Sequence, residues 1–166
     1  MSFEELYEKY FSRIYSYILY RVISPDLADD MVSLVFEKIL DKYAGFDPAK
    51  AVIIEAWIFA IARNTLNDHF RRKKILTWLS MSGMEDHIKS GESVENDAEK
   101  HELAGKVLKA VEQLSNQERE IIALKFTLAM TNRAIADTTG LGESNVGVIL
   151  FRAMRKLKEL LGPEAL

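Results

Sequence analysis

The chain contains no cysteine, and this absence excludes several kinds of site at once. Without thiols it cannot form disulfide bonds, thiolate zinc sites or cysteine nucleophiles. Its three histidines, His69, His87 and His101, are far apart in the sequence and show no metal-ligand spacing. We therefore expect no metal site and no bound cofactor.

Long apolar runs are also missing. The runs at 53–54 and 56–62 are too short to cross a membrane, and residues 1–5 show no basic-then-apolar leader. Over 166 residues, 48% are hydrophobic and 28% are charged, which is the composition of a folded globular protein. We expect a cytoplasmic protein.

Catalytic signatures are likewise absent. Neighbouring acids such as Asp29 and Asp30 occur, but no nucleophile, metal cluster or glycine-rich phosphate loop accompanies them. An enzyme is therefore the least favoured class, and we expect no small-molecule substrate.

The alternation typical of strands is missing, whereas apolar residues recur at three- and four-residue spacing. This pattern predicts an all-α fold. The predicted helix starts carry capping residues, namely Ser2 with Glu5, Ser24 before Pro25, Ser115 with Glu118, Thr131 and Ser144. Gly140 and the pair Gly162-Pro163 are predicted to end the last two helices.

The net charge of -3 is unevenly distributed. Residues 51–80 carry five bases against two acids, residues 81–120 carry ten acids against five bases, and residues 121–166 carry six bases against four acids. Between about residues 80 and 96 the apolar density falls and Ser-Gly pairs appear. We predict two small helical domains, residues 1–78 and 98–166, joined by a flexible acidic linker at 79–97.

The last forty residues show the spacing of a helix-turn-helix. Ala136 is small enough for two helices to cross closely, Gly140 permits the sharp turn, and Val146 and Ile149 pack the second helix on the first. An ordinary helical hairpin remains the alternative reading. The outward face has few charges and consists of Ser144, Asn145, Gly147, Val148, Phe151, Arg152 and Arg155.

The segment 57–72 combines an apolar face, polar side chains and a cationic end. Such a mixture suits single-stranded DNA, because cations follow the backbone while polar and aromatic groups hold the bases. Trp57 and Phe70 at helical spacing are, however, more often core residues than base-stacking residues.

Two motifs carry a resemblance to a known family. Ala-Asp-Asp-Met-Val-Ser-Leu-Val-Phe at 28–36, followed by 57–72, resembles region 2 of the extracytoplasmic-function (ECF) sigma factors. The segments 114–120 and 144–154 resemble region 4 of the same family. The resemblance covers nearly the whole chain and implies an alternative sigma factor, which binds core RNA polymerase, recognises the -10 and -35 promoter elements and directs transcription initiation.

The resemblance also implies roles for particular residues. The β′ clamp helices of the polymerase would contact Asp29, Asp30, Ser33 and Glu37, although the family usually has glutamine at the position of Ser33. The -10 element would be recognised and opened by Arg63, Asn64, Asp68, Arg71 and Arg72. The -35 element would be read by the outward face of the helix-turn-helix, in which Phe151 replaces a common histidine and the neighbouring Met154 a common arginine. The β flap and an anti-sigma factor are the further implied partners.

Two other functions remain open from the residues alone. The chain can be a free-standing helix-turn-helix regulator whose N-terminal helices dimerise or sense a signal. It can also be a helical interaction protein that does not contact nucleic acid.

Overall fold

The structure is a computed structural model that describes residues 1–47, 54–80 and 98–163. All regular structure in these ranges is helical, which confirms the all-α prediction. The predicted linker at 79–97 lies, apart from its first two residues, outside the described residues. The helices are α1 (Phe3–Val22), α2 (Pro25–Tyr43), α3 (Ile54–Leu79), α4 (Ala98–Glu112), α5 (Asn116–Phe126), α6 (Asn132–Thr139) and α7 (Glu143–Leu161).

The first two helices begin where their capping residues predict. The amide of Glu5 donates to Ser2 Oγ at 3.1 Å, and the amide of Ser2 donates to Glu5 Oε2 at 2.7 Å. Ser24 accepts from the amide of Leu27 at 3.3 Å, and Pro25 opens α2, where a missing N–H costs nothing. Both predicted helix starts are confirmed.

The caps of α5 and α6 also form as predicted. Ser115 and Glu118 make a reciprocal capping box, and Thr131 accepts from the amide of Ala134 at 3.1 Å. Gly140 ends α6 with a φ of 77°, a left-handed conformation that glycine adopts without steric cost.

The predicted start of α7 is wrong. The N-cap is Gly142, which has no side chain to accept a hydrogen bond, and Ser144 lies inside the first turn. Glu143 occupies the first helical position, where its negative charge interacts favourably with the positive end of the helix dipole. The helix can therefore begin without a side-chain cap.

The described residues divide into two compact units. The first unit comprises residues 1–18, 24–47 and 54–80. Its core is formed by fully buried side chains of α1, α2 and α3, among them Leu6, Tyr10, Ile14, Val35, Ile39, Ile58, Ala62 and Leu66. No helix in the described part of the chain is both long enough and apolar enough to cross a membrane.

The second unit comprises residues 19–23 and 98–163, so the carboxyl end of α1 groups with it. Helix α7 packs against α4, α5 and α6. The buried side chains come from every helix of this bundle, among them Val111, Ile121, Leu124, Ile135, Val146 and Ala153.

Candidate nucleic-acid interfaces

The orientation of α3 is held by polar contacts with α1 and α2. Lys38 Nζ donates to Thr65 Oγ1 at 3.3 Å, and the Thr65 side chain is buried. Near the start of α3, Glu55 forms an ion pair with Arg13 at 2.7 Å. These contacts fix which side of α3 faces the core and therefore which side faces solvent.

Three of the five residues predicted to contact the -10 element share one face of α3. Asn64, Asp68 and Arg71 follow at four- and three-residue spacing, and Arg71 forms an ion pair with Asp68. Arg72 is exposed and lies about 100° further round the helix. Arg63 precedes Asn64 by one residue, is half-buried and lies on a different side. The structure thus places Asn64, Asp68 and Arg71 on one face of α3, with the exposed Arg72 about 40° beyond Asp68 at one edge and the half-buried Arg63 about 80° from Arg71 at the other.

Beyond this face, α3 is cationic and then apolar. Burial, with repulsion from Lys73, lowers the pKa of His69 below its usual value, so His69 adds no positive charge near pH 7. The charge is carried instead by the exposed residues 71–74. The segment 57–72 singled out in the sequence did not include the exposed apolar residues that follow the cations, namely Ile75, Leu76, Trp78 and Leu79.

The residues predicted to contact polymerase lie together on α2. All four are exposed, and within the helical repeat they span about 100° opposite the buried side. The Ser33 hydroxyl donates to the backbone carbonyl of Asp29 at 3.0 Å. Leu40 lies on the same face with 53% of its surface exposed. Periodicity alone does not show where the apolar stripe of α2 ends, so the exposure of Leu40 could not be read from the sequence.

Tyr15 of α1 contacts this acidic face. Burial raises the pKa of its hydroxyl, and the negative charge of Asp29, together with a hydrogen bond to that carboxylate, raises it further. The Tyr15 hydroxyl therefore stays protonated and donates to Asp29, which restricts the position of this carboxylate.

In the second unit, α6 and α7 form the predicted helix-turn-helix. Ile135, Ala136 and Val146 are buried where the two helices pack, and Ile149 is half-buried. The buried side of α7 is a line at four- and three-residue spacing, consisting of Val146, Leu150, Ala153 and Leu157.

The opposite side of α7 is exposed. We call it the outer line, and it consists of Ser144, Val148, Phe151 and Arg155. These positions repeat with the same spacing as the buried line but lie on the other side of the helix. Asn145 and Arg152 are exposed beside the outer line, whereas Gly147 is half-buried. Six of the seven residues predicted to read the -35 element are therefore exposed.

Gly147 lies where α7 approaches the start of α6. A Cβ atom added there would be 3.9 Å from Asn132 Nδ2, an ordinary van der Waals distance. Asn132 itself accepts a hydrogen bond from Lys125 Nζ at 2.9 Å. The packing of this unit therefore leaves room for a methyl group at Gly147 and does not require glycine.

The cations of α7 differ in their partners. Arg155 Nε contacts Glu159 at 3.4 Å, and Lys156 Nζ contacts Glu118 at 2.8 Å. Within the described residues neither Arg152 nor Lys158 forms an ion pair, and of these two cations Arg152 is the one that lies beside the outer line. Over the same ranges, no three His, Asp or Glu side chains are grouped as metal ligands would be.

This geometry defines a class of protein. A helix-turn-helix in one helical unit and a cationic, partly polar helix in the other are features of DNA-binding proteins. Comparisons with known families agree. The family model of Sigma-70 region 2 matches residues 6–75, and the model of Sigma-70, region 4 matches residues 104–157.

Several characterised proteins are similar to this chain over almost its full length. ECF RNA polymerase sigma factor BldN of Streptomyces coelicolor is 29% identical over 164 residues, which are 99% of this chain but 62% of that protein. ECF RNA polymerase sigma factor SigM of Bacillus subtilis is 25% identical over 162 residues, which are 96% of this chain and 95% of SigM. The chain thus spans less than two thirds of BldN and nearly all of SigM.

Two solved structures share the fold. Sigma factor RpoE from Bartonella quintana, solved with the anti-sigma factor NepR, superposes with a TM-score of 0.75 at 20% identity, covering 98% of both chains. CnrH, solved with the cytosolic domain of CnrY, superposes with a TM-score of 0.63 at 24% identity, covering 96% of this chain and 86% of CnrH.

The chain belongs to the sigma-70 family and, within it, to the ECF RNA polymerase sigma factors. The resemblance seen in the sequence is confirmed. The alternative of a free-standing regulator is not favoured, because region 2 and region 4 are both present in one chain.

Proposed function

We propose that this sigma factor binds core RNA polymerase, recognises the -10 and -35 promoter elements and thereby directs transcription initiation. The observation that carries the proposal is the presence of both regions in one chain, each with its own exposed polar or cationic helix face. Residues 1–78 contact the polymerase and the -10 element, residues 79–97 connect the domains, and residues 98–166 contact the -35 element.

In the first domain, α3 captures the opened -10 element. Asn64 and Arg71 supply hydrogen-bond donors to bases, while the exposed cations at 71–74 follow the phosphates of a single strand. Unpairing and flipping a base costs a few kcal/mol, and binding to α3 offsets this cost. The chain acts by binding and carries out no catalytic step, so it needs no cofactor.

In the second domain, α7 enters the major groove as the recognition helix. Ser144 and Asn145 lie at its N-terminus, where backbone amides and the helix dipole attract phosphate. Arg152, which forms no ion pair in the described part of the chain, adds a positive charge beside the outer line. The outer line of α7 faces the base pairs.

The polymerase contributes the remaining contacts. The acidic face of α2, with Leu40 at one end, fits the β′ clamp helices, and the second domain contacts the β flap. Tethering two weak DNA contacts to one enzyme raises the effective concentration of the second contact once the first has formed. This explains how α7 can act with few charges.

An anti-sigma factor is a further proposed partner, supported by the solved complexes of RpoE with NepR and of CnrH with CnrY. Such a partner would mask surfaces that otherwise bind polymerase. We place the protein in the cytoplasm, where the polymerase works.

The decisive experiment is in vitro transcription of a genomic library by purified core polymerase, with and without the protein. We expect transcripts that depend on the protein and start downstream of a shared pair of promoter elements. Tight promoter-specific binding by the protein alone, with no transcription gained on adding core polymerase, would show a free-standing regulator instead.

A variant set tests whether nucleic acid is contacted at all. Replacing Arg71, Arg72, Arg152 and Arg155 together by alanine is expected to abolish promoter-specific transcription. Lys106→Ala with Lys109→Ala removes two exposed cations outside the proposed surfaces and serves as the control. Full activity of the four-residue variant would indicate an interaction protein that does not touch DNA.

A further inference from the structure

The middle of the outer line is apolar. Val148 is 45% exposed and Phe151 is 70% exposed, although Ser144 before them and Arg155 after them are polar. Neither apolar side chain belongs to the core, since the buried line of α7 lies on the other side of the helix. Two adjacent exposed apolar residues in the centre of a proposed recognition face call for an apolar partner.

The major groove offers one suitable apolar group. Among base edges exposed there, the C5-methyl of thymine is the apolar one, whereas guanine, cytosine and adenine present hydrogen-bonding atoms. Side chains without donors or acceptors cannot satisfy those atoms. Because Ser144, Arg152 and Arg155 surround the apolar pair, the surface as a whole matches a polyanion with apolar groups in its groove.

The dimensions are also compatible. Val148 and Phe151 are three residues apart, which corresponds to about 4.5 Å along the helix axis. Successive bases of a DNA strand are about 3.4 Å apart. An inclined helix can therefore place these two side chains on neighbouring base pairs.

We infer that Val148 and Phe151 read thymine methyl groups at two neighbouring base pairs of the -35 element. The inference rests on the proposed role of α7 and adds the chemistry by which its centre discriminates sequences. Phe151, the more exposed of the two, supplies the larger contact.

The test uses a promoter duplex recovered from the transcription screen and holoenzyme made from core polymerase and the full chain. Each thymine of the -35 element, on either strand, is replaced in turn by deoxyuridine, which lacks only the C5-methyl. At two neighbouring base pairs we expect about fourfold weaker holoenzyme binding for each substitution, the value of one buried methyl-sized group. Other positions should be unaffected.

Variants assign the effect to particular side chains. Phe151→Ala should make binding insensitive to deoxyuridine at one of these base pairs, and Val148→Ala should do so at its neighbour. Phe151→Leu, which keeps an apolar contact, should retain part of the sensitivity. Phe126→Ala is the matched control, because Phe126 is a 60% exposed phenylalanine at the end of a different helix, α5.

The possible failures are distinguishable. If the -35 element is required but no deoxyuridine substitution weakens binding, the methyl-reading inference is wrong and the proposed function stands. Sensitivity that Phe151→Ala and Val148→Ala both leave unchanged would also overturn it. If transcription does not depend on a -35 element at all, the proposed role of α7 fails first.

Discussion

Lys156 of α7 donates to both carboxylate oxygens of Glu118 in α5, at 2.8 and 3.1 Å. The same carboxylate accepts from the amide of Ser115 at 2.8 Å as part of the capping box. One side chain thus caps α5 and joins it to the proposed recognition helix. Burial favours a higher pKa for Glu118, but the hydrogen bonds from Lys156 and Ser115 and the charge of Lys156 hold it below its usual value.

Substitutions at Glu118 should separate these two roles. Glu118→Gln keeps an acceptor for the Ser115 amide but loses the charge, so we expect about 0.5 kcal/mol of lost stability in α5. Glu118→Ala loses both contacts and should cost about 1 to 2 kcal/mol. Amide hydrogen exchange of α5 in the full chain measures the difference. Equal costs for the two variants would contradict the dual role.

The stability of α5 should also depend on pH. A carboxyl group whose pKa is lower in the folded state contributes stability above its unfolded pKa, here about 4.5. This contribution is lost as the pH falls through the lower, folded pKa. When the pH is lowered, the amides of α5 should lose protection against hydrogen exchange. We expect this loss to be smaller in Glu118→Gln than in the native chain. An identical acid profile in both proteins would exclude Glu118 as the source.

Gly147→Ala should increase stability while weakening promoter use. Glycine inside a helix costs about 0.5 to 1 kcal/mol relative to alanine, and the added Cβ meets only an ordinary contact with Asn132. A close approach of DNA to α7 would, however, be obstructed by the methyl group. Hydrogen exchange measures the first effect and -35-dependent transcription the second.

Gly105→Ala is the matched control for this prediction. Gly105 lies inside α4, and no atom outside its local helix backbone is within 4 Å of its added Cβ. The substitution should stabilise its helix by a similar amount and leave use of the -35 element unchanged. If the Gly147→Ala variant transcribes normally from promoters that need the -35 element, DNA does not approach α7 closely at this glycine.

Arg71→Ala with Arg72→Ala should reduce open-complex formation more than duplex binding, because these cations lie on the helix proposed to hold single-stranded DNA. Two lost phosphate contacts should make the dependence of log affinity on log salt shallower by about 1.4 for a single strand. Permanganate footprinting measures opening, and a salt titration measures the slope. Equal loss in duplex binding and opening would contradict the assignment.

Arg152→Ala should weaken promoter use through the -35 element. Loss of one phosphate contact to duplex DNA lowers the magnitude of the salt slope by about 0.9. Lys109→Ala, which removes an exposed cation from α4, should leave the slope unchanged. If both variants change the salt slope equally, the change reflects the overall charge of the protein and not a contact made by α7.

Much of the fold could be predicted because its signals are local. Ser2 with Glu5, and Ser115 with Glu118, lie three residues apart, so the capping boxes are visible in the sequence and form in the structure. The start of α7 was predicted wrongly because serine is a residue type that commonly caps helices, which favoured Ser144. The extended backbone that an N-cap requires occurs instead at Gly142. Residue type alone does not determine which of two nearby residues, here two positions apart, adopts that backbone.

The candidate sites were only partly predictable. Leu40 and Phe126 are apolar residues of α2 and α5 that are nevertheless exposed, since periodicity identifies a helix but not the edge of its buried face. Arg63 was grouped with Asp68 and Arg72, although it lies about 140° and 180° from them around the helix.

The sequence by itself determined the helices, the caps of α1, α2, α5 and α6, and the family, because these depend on residues within a few positions or on motifs read in order. Only the tertiary structure decided which faces remain exposed and which charges are compensated. Lys156 and Glu118 are 38 residues apart and meet only when α7 packs on α5. The exposed pair Val148 and Phe151 likewise became distinct from core residues only when the opposite side of α7 was buried.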